Sequence, residues 1–114
     1  MSECVFCRIV AGEMGSEEVA SSSLTFAFRD IDPAMPSHVL VVPREHIESA
    51  ASLGPDHAAL LAEMFETAQE VAAHENLDER GYRLVLNVGE DAQNSVAHLH
   101  MHVLGGRPMN WPPG

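Results

Sequence analysis

The stretch His98-Leu99-His100-Met101-His102-Val103-Leu104 decides both the fold and the chemistry of this chain. Three of its seven histidines fall here, at strict alternation. In a β-strand successive side chains point to opposite faces, so His98, His100 and His102 share one face at a spacing of about 6.5–7 Å. Leu99, Met101 and Val103 share the other and pack into a core. On a helix, residues two apart are rotated by about 200°, and the cluster disperses. Imidazole has an ordinary pKa of about 6.5, close to neutrality. A row of three can supply a nucleophile, a proton donor and a metal ligand without large tuning. One histidine on a polar strand face is unremarked; three at this spacing, followed by Gly105-Gly106, point to a site.

The segments leading to this strand alternate between extended and helical patterns. Residues 4–10 predict a short helical turn, with Val5, Phe6 and Ile9 close together. Residues 11–23 are small and polar and predict a loop, with a short edge strand around Glu18–Ala20. Leu24–Arg29 alternates as a strand, and Asp30–Pro36 is a turn punctuated by two prolines. His38–Val42 is a second core strand, stopped by Pro43. Glu45–Leu53 predicts a short helix broken at Gly54-Pro55, and a long helix follows from about Pro55 to Glu75. Its apolar face is read as Leu61, Met64, Phe65, Ala68, Val71 and Ala72. His57 and His74 on or near this helix belong to no cluster and are given structural or solvent roles. Tyr82–Val88 is a third core strand, 89–95 a polar loop, and Met109–Gly114 a compact apolar end. These elements make one α+β domain over residues 1–114 with a mainly antiparallel sheet.

With 114 residues the chain can bury a real core, and its 46% hydrophobic content is ordinary for a globular protein. No apolar run approaches the roughly 20 residues that span a bilayer, and Met1-Ser2-Glu3-Cys4 lacks the pattern of a signal peptide. No membrane partner and a cytoplasmic location are expected. Seventeen acids against six Lys plus Arg give a net charge of −11, which argues against a nucleic-acid partner. A small anion held by backbone N–H groups, His, Ser and Asn remains compatible with that charge.

Within the triad, His100 has a histidine on either side and is the best nucleophile for a phosphorus centre, giving a phospho-histidine intermediate. His102 can contact the phosphate or protonate the leaving group, and Ser95 with backbone N–H groups can hold charged oxygens. The only two cysteines, Cys4 and Cys7, form a C-x-x-C pair. Adding His46 and one triad histidine would make a tetrahedral Cys₂His₂ zinc set; two thiols without metal are the plainer reading. Asp30 can accept from a sugar diol or serve as an Asx-turn residue.

Together these residues resemble the Hint branch of the histidine triad (HIT) superfamily, the histidine triad nucleotide-binding proteins. The pattern His-φ-His-φ-His-φ-φ at 98–104 carries the resemblance. It extends to Cys4–Val10, Phe28–Ile31, Pro36–His38, Val42–Ile47, Gly81–Val85, Asn87, Gly105–Arg107 and Trp111–Gly114. The resemblance implies a HIT-like fold: an antiparallel sheet of about five strands with one long and one short helix, continued across a homodimer. It implies a phosphoramidase that binds purine nucleoside monophosphates such as AMP and hydrolyses nucleoside 5′-phosphoramidates and acyl-nucleotides. By position, His100 would be the nucleophile, His102 the phosphate and leaving-group contact, and His38 a support on the nucleophile's side. Asp30 would take the ribose, Phe6, Ile9 and Ile31 the base, and Asn87 and Ser95 the phosphate oxygens. Cys4, Cys7, His46 and His98 would hold a structural zinc ion. Two positions depart from the family: Asn94 where Gln is frequent, implying an altered leaving-group preference, and Arg29 where several relatives carry His, implying a more basic ribose edge. The competing readings are a dinucleoside polyphosphate hydrolase of the same fold and a non-catalytic AMP-sensing dimer. The tail and the zinc set count against the first, the intact triad against the second.

Overall fold

The computed structural model describes residues 3–114; Met1 and Ser2, the start of the stretch weighed above as a signal peptide, lie outside them. Two helices and five strands follow in the order α1 (Val5–Val10), β1 (Glu18–Ser21), β2 (Thr25–Arg29), β3 (Ser37–Pro43), α2 (Ala58–His74), β4 (Tyr82–Val85) and β5 (Met101–Gly105). The strands form one antiparallel sheet in the order β1-β2-β3-β5-β4. This is the expected α+β architecture with one long and one short helix. Among the described residues no helix is long and apolar enough to cross a membrane.

The period-2 rule assigns the two faces of the sheet. Ala27 of β2, Val39 and Val41 of β3, and Met101 and Val103 of β5 point to one side. There they pack with Leu60, Met64, Ala68, Val71 and Ala72 of α2, all buried. Phe26, Phe28, Leu40 and Val42 point to the other side and pack with Phe6 of α1. Both faces of the central strands are therefore covered, and β3 is buried along its whole length. His38, His98, His100 and His102 lie on the α1 side, away from the long helix.

Several sequence expectations shift in register. The inward stripe of α2 is Leu60, Met64, Thr67, Ala68, Val71 and Ala72, while Phe65 is 41% exposed. Leu61 and Phe65 are apolar, but Leu60 and Thr67 take the inward places. Thr67 Oγ1 lies 2.7 Å from Thr25 Oγ1, so the buried hydroxyls satisfy each other. The helix expected over Glu45–Leu53 is absent; only a 3₁₀ turn at Ala50–Ser52 forms. Tertiary contacts override propensity there. Leu99 N–H donates to the Ile47 carbonyl at 2.6 Å, and Ile47 is buried, which holds the segment extended beside the triad. β4 stops at Val85 rather than Val88, with Leu86 and Val88 exposed. The end at Met109–Gly114 is not compact: Trp111 is 81% exposed, its ring facing the Arg83 guanidinium at 5.8 Å.

The ladder of β5 begins at Met101, so His98 and His100 precede it. Alternation survives outside the ladder, because Leu99 is buried in the α2-side core while the flanking imidazoles point the other way. At the far end Gly106 has φ +102°, and a Cβ there would lie 2.8 Å from Pro36 Cβ. Glycine is required for the chain to turn away at that point.

Candidate active site

The sheet brings His38, His100 and His102 onto one patch. His38 and His102 are diagonal neighbours across β3 and β5, since His38 is opposite Leu104 and Leu40 is opposite His102. Their rings lie 5.1 Å apart, and the His100 and His102 rings 5.0 Å apart. Phe6 of α1 stands edge-on to His100 at 5.2 Å and to His98 at 5.9 Å.

Hydrogen bonding decides which nitrogen carries each proton. His100 Nδ1 is 2.7 Å from the His98 carbonyl, an acceptor only, so Nδ1 bears the hydrogen and Nε2 keeps its lone pair. Ala34 N–H donates to His38 Nδ1 at 3.0 Å. His38 Nε2 therefore carries a hydrogen and donates to His102 Nδ1 at 2.8 Å. That leaves His102 Nε2 as the N–H; the Asn87 amide, whose nitrogen lies 3.4 Å away, pairs with it only when turned to present its Oδ1 as acceptor. His38 bonds to His102, not to His100. Burial drives the His102 pKa down to about 4, helped by His100 and His38 and opposed by Asp30. Burial also lowers that of His38, against the pull of Asp30, whose Oδ2 is 3.4 Å away. Both imidazoles are neutral at pH 7, as the tautomers require. Asp30, His38 and His102 also gather within 4.8 Å, but the 2.8 Å separation of the two ring nitrogens is a hydrogen bond.

A second cluster adjoins the first. The ligand atoms of Cys4, Cys7, His46 and His98 all lie within 4.8 Å of one another. His98 Nδ1 is 3.3 Å from Cys4 Sγ and 3.4 Å from Cys7 Sγ, and His46 Nδ1 is 3.2 Å from Cys7 Sγ. Tetrahedral zinc with ordinary Zn–S and Zn–N bonds sets its sulfur and nitrogen ligands about 3.5 Å apart. The donor set and its spacing thus fit zinc. His98 Nε2–H donates to the Pro43 carbonyl at 3.0 Å, which turns the Nδ1 lone pair toward the sulfurs. Burial lowers the His98 pKa, with the Pro43 carbonyl opposing, so the ring is in the neutral form that binds metal.

A cavity of about 350 Å³ opens over the triad. Phe6, Ile9, Asp30, Ile31, Ser95, His100 and His102 all line it, together with Leu40 and Val96. Leu40 was missed although it lies two residues after His38 and so shares its strand face; Val96 had no sequence signal. Asn87 reaches the site through His102 rather than through the cavity wall. Asp30 makes the Asx turn, Oδ1 accepting from Asp32 N–H at 2.9 Å, while Oδ2 faces His38. Ile31 is 98% exposed at the rim. Arg29 also lines the cavity. Its guanidinium is committed to Glu17 and to Glu75, the latter also through Nη2–Oε2 at 2.7 Å. Asn94 lies beside Ser95, with its buried Oδ1 lacking a protein partner. His57 Nδ1 accepts from Gly54 N–H at 3.0 Å, and His74 lies 3.8 Å from Glu75, in keeping with structural roles.

The HIT domain model matches residues 11–109 of the chain. The chain belongs to the HIT domain family. It is 37% identical to the purine nucleoside phosphoramidase of Escherichia coli, over 94% of this chain and 90% of that one. It is 39% identical to a 14 kDa zinc-binding protein of Zea mays, over 99% of this chain and 89% of the other. The crystal structure of a HIT family hydrolase from Legionella pneumophila superposes with a TM-score of 0.95 at 43% identity, covering 98% of this chain and all of that one. The expectation of an enzyme of the hydrolase class stands with these findings.

Proposed function

We propose that this HIT-family hydrolase cleaves the P–N bond of purine nucleoside 5′-phosphoramidates, and the P–O(acyl) bond of related acyl-nucleotides, by way of a nucleotidyl group carried on His100. The observation that carries the reading is the 2.7 Å bond from His100 Nδ1–H to the His98 carbonyl, which fixes the ring and makes Nε2 the lone-pair nitrogen of the neutral tautomer. The name of the Escherichia coli relative supports the substrate class.

In the first step His100 Nε2 bonds to the α-phosphorus and the P–N bond breaks. His102 is neutral, so it acts as a hydrogen-bond donor to the charge developing on the phosphoryl oxygens rather than as an imidazolium acid. The leaving nitrogen takes its proton from solvent at the cavity mouth. In the second step a water oxygen bonds to phosphorus and the N–P bond breaks. The sum is one water: hydrogen to the amine, hydroxyl to the nucleoside monophosphate. His38 fixes the tautomer of His102. Phe6, Ile9 and Ile31 take the base, Asp30 the ribose hydroxyls, and Asn87 and Ser95 the phosphate oxygens. Cys4, Cys7, His46 and His98 would hold zinc, whose closed four-ligand shell supplies structure and no open position for water. The whole is read as a single-domain, cytoplasmic homodimer.

Hydrolysis of adenosine 5′-phosphoramidate tests this. Wild-type turnover with acid-quenched nucleotide label on His100, and none in His100→Ala, is the expected result. A folded, AMP-binding wild type without turnover overturns it.

A further inference from the structure

The metal cluster and the cavity are built from the same pieces. α1 is six residues long, too short to persist without tertiary anchors. Its N-cap is Cys4, whose Sγ accepts from Cys7 N–H at 3.4 Å, and both cysteines belong to the metal cluster. The same short helix supplies Phe6 and Ile9 to the cavity wall. His98 has a matching double role. Its ring lies in the cluster, while its carbonyl holds the Nδ1 proton of His100. Phe6 touches both rings and sits between the two sites.

We propose that metal occupancy at Cys4, Cys7, His46 and His98 and nucleotide occupancy of the cavity are energetically coupled through Phe6 and the His98 backbone. The inference rests on the cavity being the nucleotide site proposed above. With metal bound, α1 is tied down at its first turn and the base-facing wall is preformed. Without it, α1 is seated in only a fraction of molecules, and apparent nucleotide affinity falls by that fraction. Linkage makes the effect reciprocal: nucleotide must tighten metal by the same factor. A metal that only staples the N-terminal segment would have neither effect.

The test titrates AMP by calorimetry into full-length protein, zinc-loaded and then stripped with EDTA and dialysed. AMP affinity is expected to fall by about five- to tenfold on stripping and to return when zinc is restored. On the loaded, folded protein, saturating AMP is expected to lower the equilibrium fraction of zinc transferred to a chromophoric chelator; AMP's own weak affinity for zinc acts the other way. This second measurement decides the matter even where stripping unfolds the chain. Phe6→Ala keeps all four ligands and is expected to shrink both effects to the part carried by the His98 backbone. Equal AMP affinity with and without zinc, or zinc transfer indifferent to AMP, overturns the coupling while leaving the nucleotide site standing. A loaded protein that binds no AMP overturns the reading of the cavity, and the coupling with it.

Discussion

His38 governs the site without facing the nucleophile. Its Nδ1 is fixed by a main-chain N–H, so its Nε2–H must point at His102. His38→Ala is expected to lower kcat by about ten- to a hundredfold, with KM little changed, since it frees the tautomer of His102 without removing a substrate contact. Steady-state kinetics on a phosphoramidate would read this split. Titration of His102 also carries a stability consequence. Its folded pKa, about 4, lies below the ordinary value of 6.5, so the unfolded chain binds the proton more tightly between those values. The contribution is fully present above pH 6.5 and is lost as pH falls toward 4, an upper bound of about 3 kcal/mol. Denaturant midpoints from pH 7.5 to 4.5 are expected to fall more steeply in wild type than in His102→Gln.

At the level of elements, α2 is the support under the triad rather than part of it. Met64 is 2% exposed and packs in the same cluster as Met101 and Val103. Met64→Ala is expected to cost about 2–5 kcal/mol, read by urea unfolding, with the metal ligands untouched. The triad strand was legible because alternation of His with Leu, Met and Val has one strand solution. So was the long helix, through its length and Pro55. The Glu45–Leu53 segment was not legible, because its extended form depends on a hydrogen bond to Leu99, about fifty residues away along the chain. The candidate site was read mostly through resemblance: periodicity put three histidines on one face, but nothing in spacing paired His38 with His102. The commitment of Arg29 was equally hidden, since both its carboxylate partners are distant in sequence.

Across the whole molecule, three separate elements meet at Glu75, just beyond α2. Its carboxylate is 8% exposed, accepts from Arg29 at the end of β2, and accepts from Ser37 Oγ of β3 at 2.7 Å. Arg29 holds its pKa below the ordinary carboxylate range, with Ser37 assisting and burial opposing. The negative end of the helix dipole disfavours a carboxylate there, so the arginine offsets two penalties at once. Arg29 is partly exposed, which weakens the pair, and Arg29→Ala is expected to cost about 1–3 kcal/mol, with Glu75→Gln in the same chain recovering part of it. A double-mutant cycle by thermal unfolding measures that recovery.

This clamp constrains the order in which the sequence can drift. Losing the arginine first strands a nearly buried charge; losing the carboxylate first leaves only an arginine with Glu17 still beside it. The tolerated route therefore runs through position 75 before position 29, a ratchet in sequence space. Descendants of this chain are expected to carry the arginine without the glutamate more often than the reverse.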